Sequence, residues 1–224
     1  MKVYRYIHNW QHKLNNIVIK TIPMIHIGTQ HFYDEVSEIL NDCNLILEEG
    51  IPISIDSEMG TYKRIAKKVK LFSQSQNMKF MSDTKRVNID IEENDFKSGL
   101  LSVSTKELKD LKKFKYILPF ISKKKLLKML YDVCSYSESA KILLINPDNH
   151  YSYKHNKSPL DLLITNTRDE SISRNLQEVI NNNINRQYRY DIGIIFGDEH
   201  MPIIYKILQT NNFDWTLEKK IDIF

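Results

Sequence analysis

The sequence predicts an α/β fold with a central sheet, mostly parallel or mixed, that is flanked by helices; a mixed α+β arrangement fits the same pattern. Short apolar runs typical of strands alternate with segments of helical periodicity, which favours parallel pairing. One pattern also occurs twice: an apolar run, then Gly-x-x-His, then a helical segment. It spans residues 23–40 (PMIHIGTQHFYDEVSEIL) and residues 192–208 (IGIIFGDEHMPIIYKIL). The recurrence predicts two pseudo-equivalent strand–GxxH–helix halves.

The composition predicts one domain over residues 1–224. Hydrophobic residues make up 42% of the chain and charged residues 27%, which is ordinary for a globular protein with a sizeable core. No Pro-, Gly- or Ser-rich stretch marks a linker between domains. The region at about 59–135 lies between the two copies of the pattern, and its lysine-rich segments predict a helical insertion.

The first copy of the pattern begins with two apolar runs that read as strands, at 16–20 and 23–27. The periodicity after them predicts a helix over 32–40. Residues 45–49 (LILEE) then predict a further strand, which Gly50 closes.

The middle of the chain contains basic segments with apolar residues at helical spacing. Ile65, Val69 and Phe72 recur on one face of a helix predicted over 59–74. The remaining elements predicted here are a short strand at 79–82, an acidic loop at 89–96 and two helical segments within 104–135, separated at Pro119.

The C-terminal part repeats the alternation. A long helix is predicted from Pro159 to about Ile184, with Ser158 as its N-cap. Three elements follow: a buried strand at 190–196, a helix at 201–208 and a closing strand at 213–224.

Composition and charge also exclude several function classes. The net charge of +4 does not indicate nucleic acid, and the lysine-rich run 106–128 is typical of the solvated face of an amphipathic helix. No apolar run approaches the ~20 residues that span a bilayer, and no signal-peptide pattern is present. Cys43 and Cys134 form no Cys-x-x-Cys pair, so we expect a reduced, cytoplasmic location. The oligomeric state stays open, with a homodimer possible.

The repeated pattern supplies the first candidate site residues. A glycine at the end of a strand permits an abrupt turn, and Gly28 and Gly197 occupy this position. The histidines three residues later, His31 and His200, then lie near the first turn of a helix. The positive end of that helix disfavours the imidazolium, so each ring is free to bind a metal or to accept a proton. We expect the two histidines to converge on one site.

A carboxylate joins this pair at the end of the strand 45–49, because ligands bind at the carboxyl ends of strands in open α/β sheets. Glu48 and Glu49 are both candidates, but only one can face the site, since successive strand side chains point to opposite faces. Two imidazoles and one carboxylate are a common ligand set for a catalytic divalent metal with an open water position.

The ordered set of motifs resembles the TraB/PrgY–Tiki–GumN superfamily, which is related to erythromycin esterases and haem-binding ChaN-like proteins. HIGTQH, LILEEG, TRDESISRNL and IIFGDEH occur here in the family's order and span residues 23–208. The second Gly-x-x-His motif departs from the family's Gly-Ala-Gly-His form, because Asp198 and Glu199 occupy its middle.

The resemblance implies a role for each motif. Aligned along the strand, it favours Glu49 over Glu48 as the carboxylate. It places Arg168 and Asp169 on a helix that faces the site, with Arg168 stabilising an oxyanion or a substrate carboxylate. The acidic stretch matches a family Asp, which makes Asp90 a candidate and Asp83 a weaker one.

The function that the resemblance implies is a metal-dependent hydrolase of peptide or amide bonds. His31, Glu49 and His200 would bind the divalent metal ion (Mn, Co or Zn). Two alternatives stay open. One is a metal-independent, esterase-like hydrolase that uses a His/Glu base on a peptide or a small amide or ester. The other is a non-enzymatic module that binds a peptide or haem.

Overall fold

The computed structural model describes residues 3–50, 56–81, 83–101, 103, 117–135 and 166–224. The strands are β1 (Tyr4–His12), β2 (Ile17–Met24), β3 (Ile27–Gly28), β4 (Leu45–Glu48), β5 (Phe72–Ser73), β6 (Lys85–Asn88), β7 (Tyr190–Gly197) and β8 (Phe213–Asp222). The α-helices are α1 (Gln30–Asn41), α2 (Asp56–Val69), α3 (Gln74–Asn77), α4 (Glu93–Leu100), α5 (Lys123–Ser135), α6 (Arg168–Asn183) and α7 (Met201–Thr210). Short 3₁₀ turns cover Leu118–Phe120 and Asp198–His200.

Within the described residues, six strands form one mixed sheet in the order β6-β4-β7-β2-β1-β8. The β6–β4, β4–β7 and β7–β2 pairs are parallel, whereas the β2–β1 and β1–β8 pairs are antiparallel. This confirms the predicted α/β fold with a mostly parallel, mixed sheet. β2 is buried along its whole length and β7 over five consecutive residues, as expected of central strands covered on both faces.

Two apolar layers cover the sheet. On one face, α6 packs with Ile172 and Leu176, and α7 with Ile204 and Leu208, against odd-numbered residues of β4 and even-numbered residues of β7. On the other face, α1 packs with Phe32, Tyr33, Val36 and Leu40 against Ile46 and Ile195. The alternation along β4 and β7 therefore divides the core between the two layers.

A third cluster forms beside the sheet. Ile65, Ala66 and Val69 of α2 pack against Leu126 of α5 and against Ile27 of β3. β3 itself pairs only with the equally short β5, as a separate two-stranded ribbon. The chain after β2 thus leaves the main sheet and contacts the segment that was predicted to be an insertion.

Several predicted elements differ from the structure. β1 was not predicted. The strand expected at 16–20 continues to Met24 as β2, whereas the one expected at 23–27 is divided between the end of β2 and Ile27 of β3. The acidic stretch expected as a loop contains the start of α4, where Glu93 and Asp95 in the first turn complement the helix dipole. The region 59–135 is not purely helical, since it supplies strand β6. Ser158 and residues 104–116 and 159–165 lie outside the described residues.

The segment after α2 also differs from the prediction. The helix expected to continue to residue 74 ends at Val69, and Lys70 has a positive φ of 65°, a conformation that breaks a helix. Phe72 therefore lies in β5 with 44% of its surface exposed, rather than on the buried face of a helix. None of the described helices is both long and apolar enough to cross a membrane.

The packing between β7 and α1 generates a testable prediction. A Cβ at Gly193 would lie 2.5 Å from Cδ2 of Leu40 and 3.3 Å from Sγ of Cys43, in a fully packed layer. We therefore expect Gly193→Ala to lower the free energy of unfolding by about 1–3 kcal/mol. Gly60→Ala is the matched control, because a Cβ there meets nothing within 4 Å. The control should stabilise helix α2 by roughly 0.5–1 kcal/mol. Urea unfolding of both variants checks this, and equal midpoints would contradict the packing described.

Candidate active site

The parallel strands β2 and β7 end side by side at one edge of the sheet. The helices that follow these neighbouring parallel strands cover opposite faces, α1 one face and α7 the other. Ligands of open α/β sheets bind at such points, outside the carboxyl ends of the strands. Glu49 lies at this edge directly after β4, and His200 lies three residues after the last residue of β7.

Glu49 is held by two hydrogen bonds from different parts of the chain. Its Oε1 accepts a hydrogen bond of 2.6 Å from Nη2 of Arg168, and its Oε2 accepts one of 2.7 Å from the backbone N–H of Gly197. Its own N–H donates to the carbonyl oxygen of Ile195 at 3.2 Å. The carboxylate is therefore fixed by a helix and by the neighbouring strand at the same time.

Arg168 forms the centre of a buried charge network. It starts helix α6 and lies on the same face as Ile172 and Leu176, one and two turns later, so the packing of that face directs it at the sheet. Besides Glu49 it contacts Asp90, which accepts from Nε at 2.9 Å and from Nη2 at 2.5 Å. The Asp90 side chain is fully buried and the Arg168 side chain is 4% exposed.

This network determines the charge of Glu49. Burial raises the pKa of the Glu49 carboxyl, but the Arg168 charge and hydrogen bond, the nearby His200 and the Gly197 N–H together lower it below its ordinary value. Burial also lowers the pKa of Arg168, yet its bonds to Asp90 and Glu49 raise it above the usual range. Both groups are therefore ionised at neutral pH.

His200 lies at the end of the 3₁₀ turn after β7, with 3% of its side chain exposed. Its Nδ1 is 2.7 Å from Oδ1 of Asp169, the residue after Arg168 on α6. Its Nε2 is 4.0 Å from Oε1 of Glu49. A carboxylate on Nδ1 favours the tautomer that carries its proton there, which leaves the lone pair on Nε2, the ring nitrogen that lies 4.0 Å from Glu49.

The turn that carries His200 is fixed from its other side by Arg5 of β1. The Arg5 guanidinium is buried and donates to Oδ2 of Asp198 at 2.5 Å and to the carbonyl oxygen of Cys134 at 3.2 Å. Sequence reasoning missed Arg5 because β1 was not predicted. The available signal was the alternation of Val3, Arg5 and Ile7 on one face.

His31 does not join this cluster. It lies in the first turn of α1 with 69% of its side chain exposed, and its Nδ1 is 4.0 Å from Oε1 of Glu35. The register explains why: Met24, not Gly28, lies opposite Gly197 in the β2–β7 pair. His200 lies three residues after Gly197, at the end of β7. His31 lies seven residues after Met24, at the end of β2, which is four residues more. The sequence repeat is therefore not a structural repeat, and the expected convergence of the two histidines is wrong in this structure.

The two glycines of the pattern are explained by close approach rather than by backbone conformation. No described glycine has a positive φ, so neither glycine is required by its backbone conformation. A Cβ at Gly197 would lie 3.2 Å from Oε2 of Glu49, the atom that its N–H binds. At Gly28 a Cβ would lie 2.8 Å from Cδ1 of Ile25. Gly197 thus lets the carboxylate reach the backbone.

Glu48 points to the other side of β4, as the alternation predicts for one of the two glutamates. Its Oε2 accepts from Nε and Nη2 of Arg86 at 3.1 and 2.5 Å. Both glutamates border one pocket of about 320 Å³ at the end of the sheet, together with Met78, Phe80 and Arg86. Glu49 thus connects this pocket with the buried network. Asp83 is exposed, in a turn before β6.

The predicted metal ligands are not assembled as a set. In the part of the chain that the structure describes, no group of three or more His, Cys, Asp or Glu side chains is arranged to hold a metal ion. Glu49 and His200 approach each other, but Arg168 already bonds the nearer Glu49 oxygen. A guanidinium in that position repels a divalent cation, so these residues fit a metal ion poorly.

Comparisons with protein-family models, with curated proteins and with solved structures found no match for this chain.

The buried network generates a prediction about stability. Arg168→Met leaves the carboxylates of Glu49 and Asp90 together without a cation, so we expect a loss of about 3–5 kcal/mol in the free energy of unfolding. Arg86→Met is the matched control. It removes a partly exposed pair with Glu48, which contributes only about 0–1 kcal/mol. Chemical denaturation at pH 7 measures both, and similar losses in the two variants would show that the network is not the stronger interaction.

The lowered pKa of Glu49 generates a prediction about pH. A carboxyl whose folded-state pKa is depressed stabilises the fold above its ordinary value of 4.5, and this contribution is lost as the pH falls through the folded pKa. We expect Glu49→Gln to be less stable than the wild type at pH 7 and the difference to shrink at about pH 3. Exposed Glu38 on α1 provides the control, since Glu38→Gln should show no such dependence. A difference that grows on acidification would have the wrong sign for a depressed pKa.

Proposed function

We propose that this chain is a hydrolase of peptide, amide or ester bonds in which His200 activates a water molecule beside Glu49. The proposal rests on one observation, the arrangement of Asp169, His200 and Glu49 around the imidazole ring. Asp169 is bonded to one ring nitrogen, and the other nitrogen faces an ionised carboxylate across 4.0 Å. A base oriented by a second group at its far nitrogen is the common arrangement of general-base catalysis.

A water molecule bound to both Nε2 of His200 and Oε1 of Glu49 fits the distance between them. Two hydrogen bonds of ~2.8 Å span 4.0 Å at an angle of about 90°. The water oxygen attacks the substrate carbonyl carbon while Nε2 takes a water proton. The negative charge of Glu49 stabilises the imidazolium that forms. When the bond to the leaving group breaks, His200 returns the proton to the leaving nitrogen or oxygen.

Arg168 acts in this proposal as a positioning residue. Its Nε and Nη2 donate to Asp90 and Glu49, so it holds Glu49 in place and keeps it ionised. The resemblance had implied instead that Arg168 stabilises an oxyanion or a substrate carboxylate. The resemblance to the TraB/PrgY–Tiki–GumN superfamily itself is kept as a proposal. It is supported by the proximity of Glu49, Arg168, Asp169 and His200, which lie in three of the four motifs. The cytoplasmic location stays a prediction from the sequence.

The metal-dependent form of the same hydrolase is the second candidate. One observation favours it: a carboxylate bonded to Nδ1, as Asp169 is, also orients imidazoles that bind metals through Nε2. A bound Mn, Co or Zn ion would supply a water of lowered pKa. Metal analysis of protein purified without added metal or chelator, followed by an activity assay with and without EDTA, decides between the two forms.

The catalytic assignment is tested with a panel of p-nitrophenyl esters and fluorogenic peptide amides. We expect His200→Ala and Glu49→Gln each to lower kcat/KM by about 100-fold or more, because each removes a group that contacts the reacting water. Glu38→Gln should retain the wild-type rate. His31→Ala separates the two forms: full activity supports the metal-free site, and loss of activity supports a metal site that includes His31. If the folded wild type hydrolyses nothing in the panel and loaded metals do not restore activity, a binding module without catalysis replaces the proposal.

A further inference from the structure

The pocket beside Glu49 has one apolar side. Met78, Phe80 and Ile195 contribute to its wall, and Met78 and Phe80 pack at the margin of the layer that α1 forms with the sheet. A volume of about 320 Å³ is at the lower end of the range for small-molecule pockets. The pocket therefore suits one side chain or a ligand of similar size rather than a large cofactor.

Three charged residues border the pocket: Glu48, Glu49 and Arg86. Both oxygens of Glu49 are already bonded, by Arg168 and by the Gly197 N–H. Arg86 is already engaged, since Nε and Nη2 both donate to Oε2 of Glu48 and its guanidinium lies 4.2 Å from the centre of the Phe80 ring. No donor of the described residues bonds Oε1 of Glu48. The pocket thus offers one carboxylate oxygen to a ligand, next to apolar surface.

From this arrangement we infer that the pocket binds a primary ammonium group at the end of an alkyl chain, as in a lysine side chain. The methylene groups would lie along Met78, Phe80 and Ile195, and the ammonium would donate to Oε1 of Glu48. An anionic group is disfavoured because the Arg86 guanidinium is already paired with Glu48, whereas Oε1 of Glu48 remains an acceptor. As a statement about the substrate, the inference rests on the proposed hydrolase, because Glu49 borders this pocket and is also the carboxylate nearest His200.

The inference is tested first by binding, without any need for turnover. The probes are Nα-acetyl-lysine amide and Nα-acetyl-6-hydroxynorleucine amide, which differ only in the terminal ammonium or hydroxyl. By isothermal titration or NMR we expect the wild type to bind the lysine probe at least about tenfold more tightly, the size expected for a hydrogen bond between charged groups. Glu48→Gln should abolish this preference, and Glu38→Gln should leave it unchanged.

A second variant tests the sign of the effect. Arg86→Met keeps the alkyl stem over Phe80 but removes the charge that competes for Glu48, so it should increase the preference for the lysine probe. Equal binding of the two probes to the wild type, or a preference that survives Glu48→Gln, would overturn the inference. So would a preference that falls in Arg86→Met while the variant remains folded.

Turnover then separates this inference from the proposed function. If the esters or amides of the panel are cleaved, matched substrates with lysine or 6-hydroxynorleucine should differ in KM in the wild type but not in Glu48→Gln. Hydrolysis without that difference would refute the ammonium subsite and leave the hydrolase intact. Binding of the lysine probe that depends on Glu48, with no hydrolysis, would support the pocket and refute the hydrolase.

Discussion

The buried charge of Arg168 is the constraint on which the carboxyl edge of the sheet depends. A guanidinium removed from water is costly unless carboxylates neutralise it, and here the carboxylates come from two separate strands. Glu49 follows β4, and Asp90 follows β6 by two residues. The requirement to pair one cation therefore joins helix α6 to both strands at this end of the sheet. Further along α6, its apolar face also holds the helix against the sheet, because Ile172 packs in the core.

The start of α6 also orients Glu49 and His200. Arg168 and Asp169 are consecutive, and the first fixes Glu49 while the second fixes His200. Asp169 is favoured at this helix end by the positive pole of the dipole, whereas Arg168 is disfavoured there and depends on its two carboxylates. One helical turn thus sets both the ionisation of Glu49 and the tautomer of His200. On the opposite side, Arg5 of β1 holds Asp198 in the turn that leads to His200.

Much of this site was predictable, and the reason is local. Glu49 and Gly197 end adjacent parallel strands, which apolar runs reveal, and the TRD motif begins a strongly periodic helix. The predictions that failed concern features that depend on how distant segments of the chain pair with one another. Whether His31 reaches this edge of the sheet depends on which residue of β2 pairs with Gly197. That residue is Met24, and the sequence of residues 23–31 does not indicate it. β1 escaped prediction because it contains a buried charged residue, Arg5, whose carboxylate partner Asp198 lies near the other end of the chain.

Consecutive glutamates at the end of β4 illustrate how strand geometry distributes charge. Because side chains alternate, Glu49 turns to the layer of α6 and becomes fixed, with both oxygens engaged. Glu48 turns to the opposite side, where its bond to partly exposed Arg86 costs little to rearrange. In the roles proposed above, the rigid, ionised Glu49 suits a proton-transfer site, and the exchangeable pair of Glu48 and Arg86 suits recognition of a charged ligand. Two identical side chains thus acquire different environments from a single step along one strand.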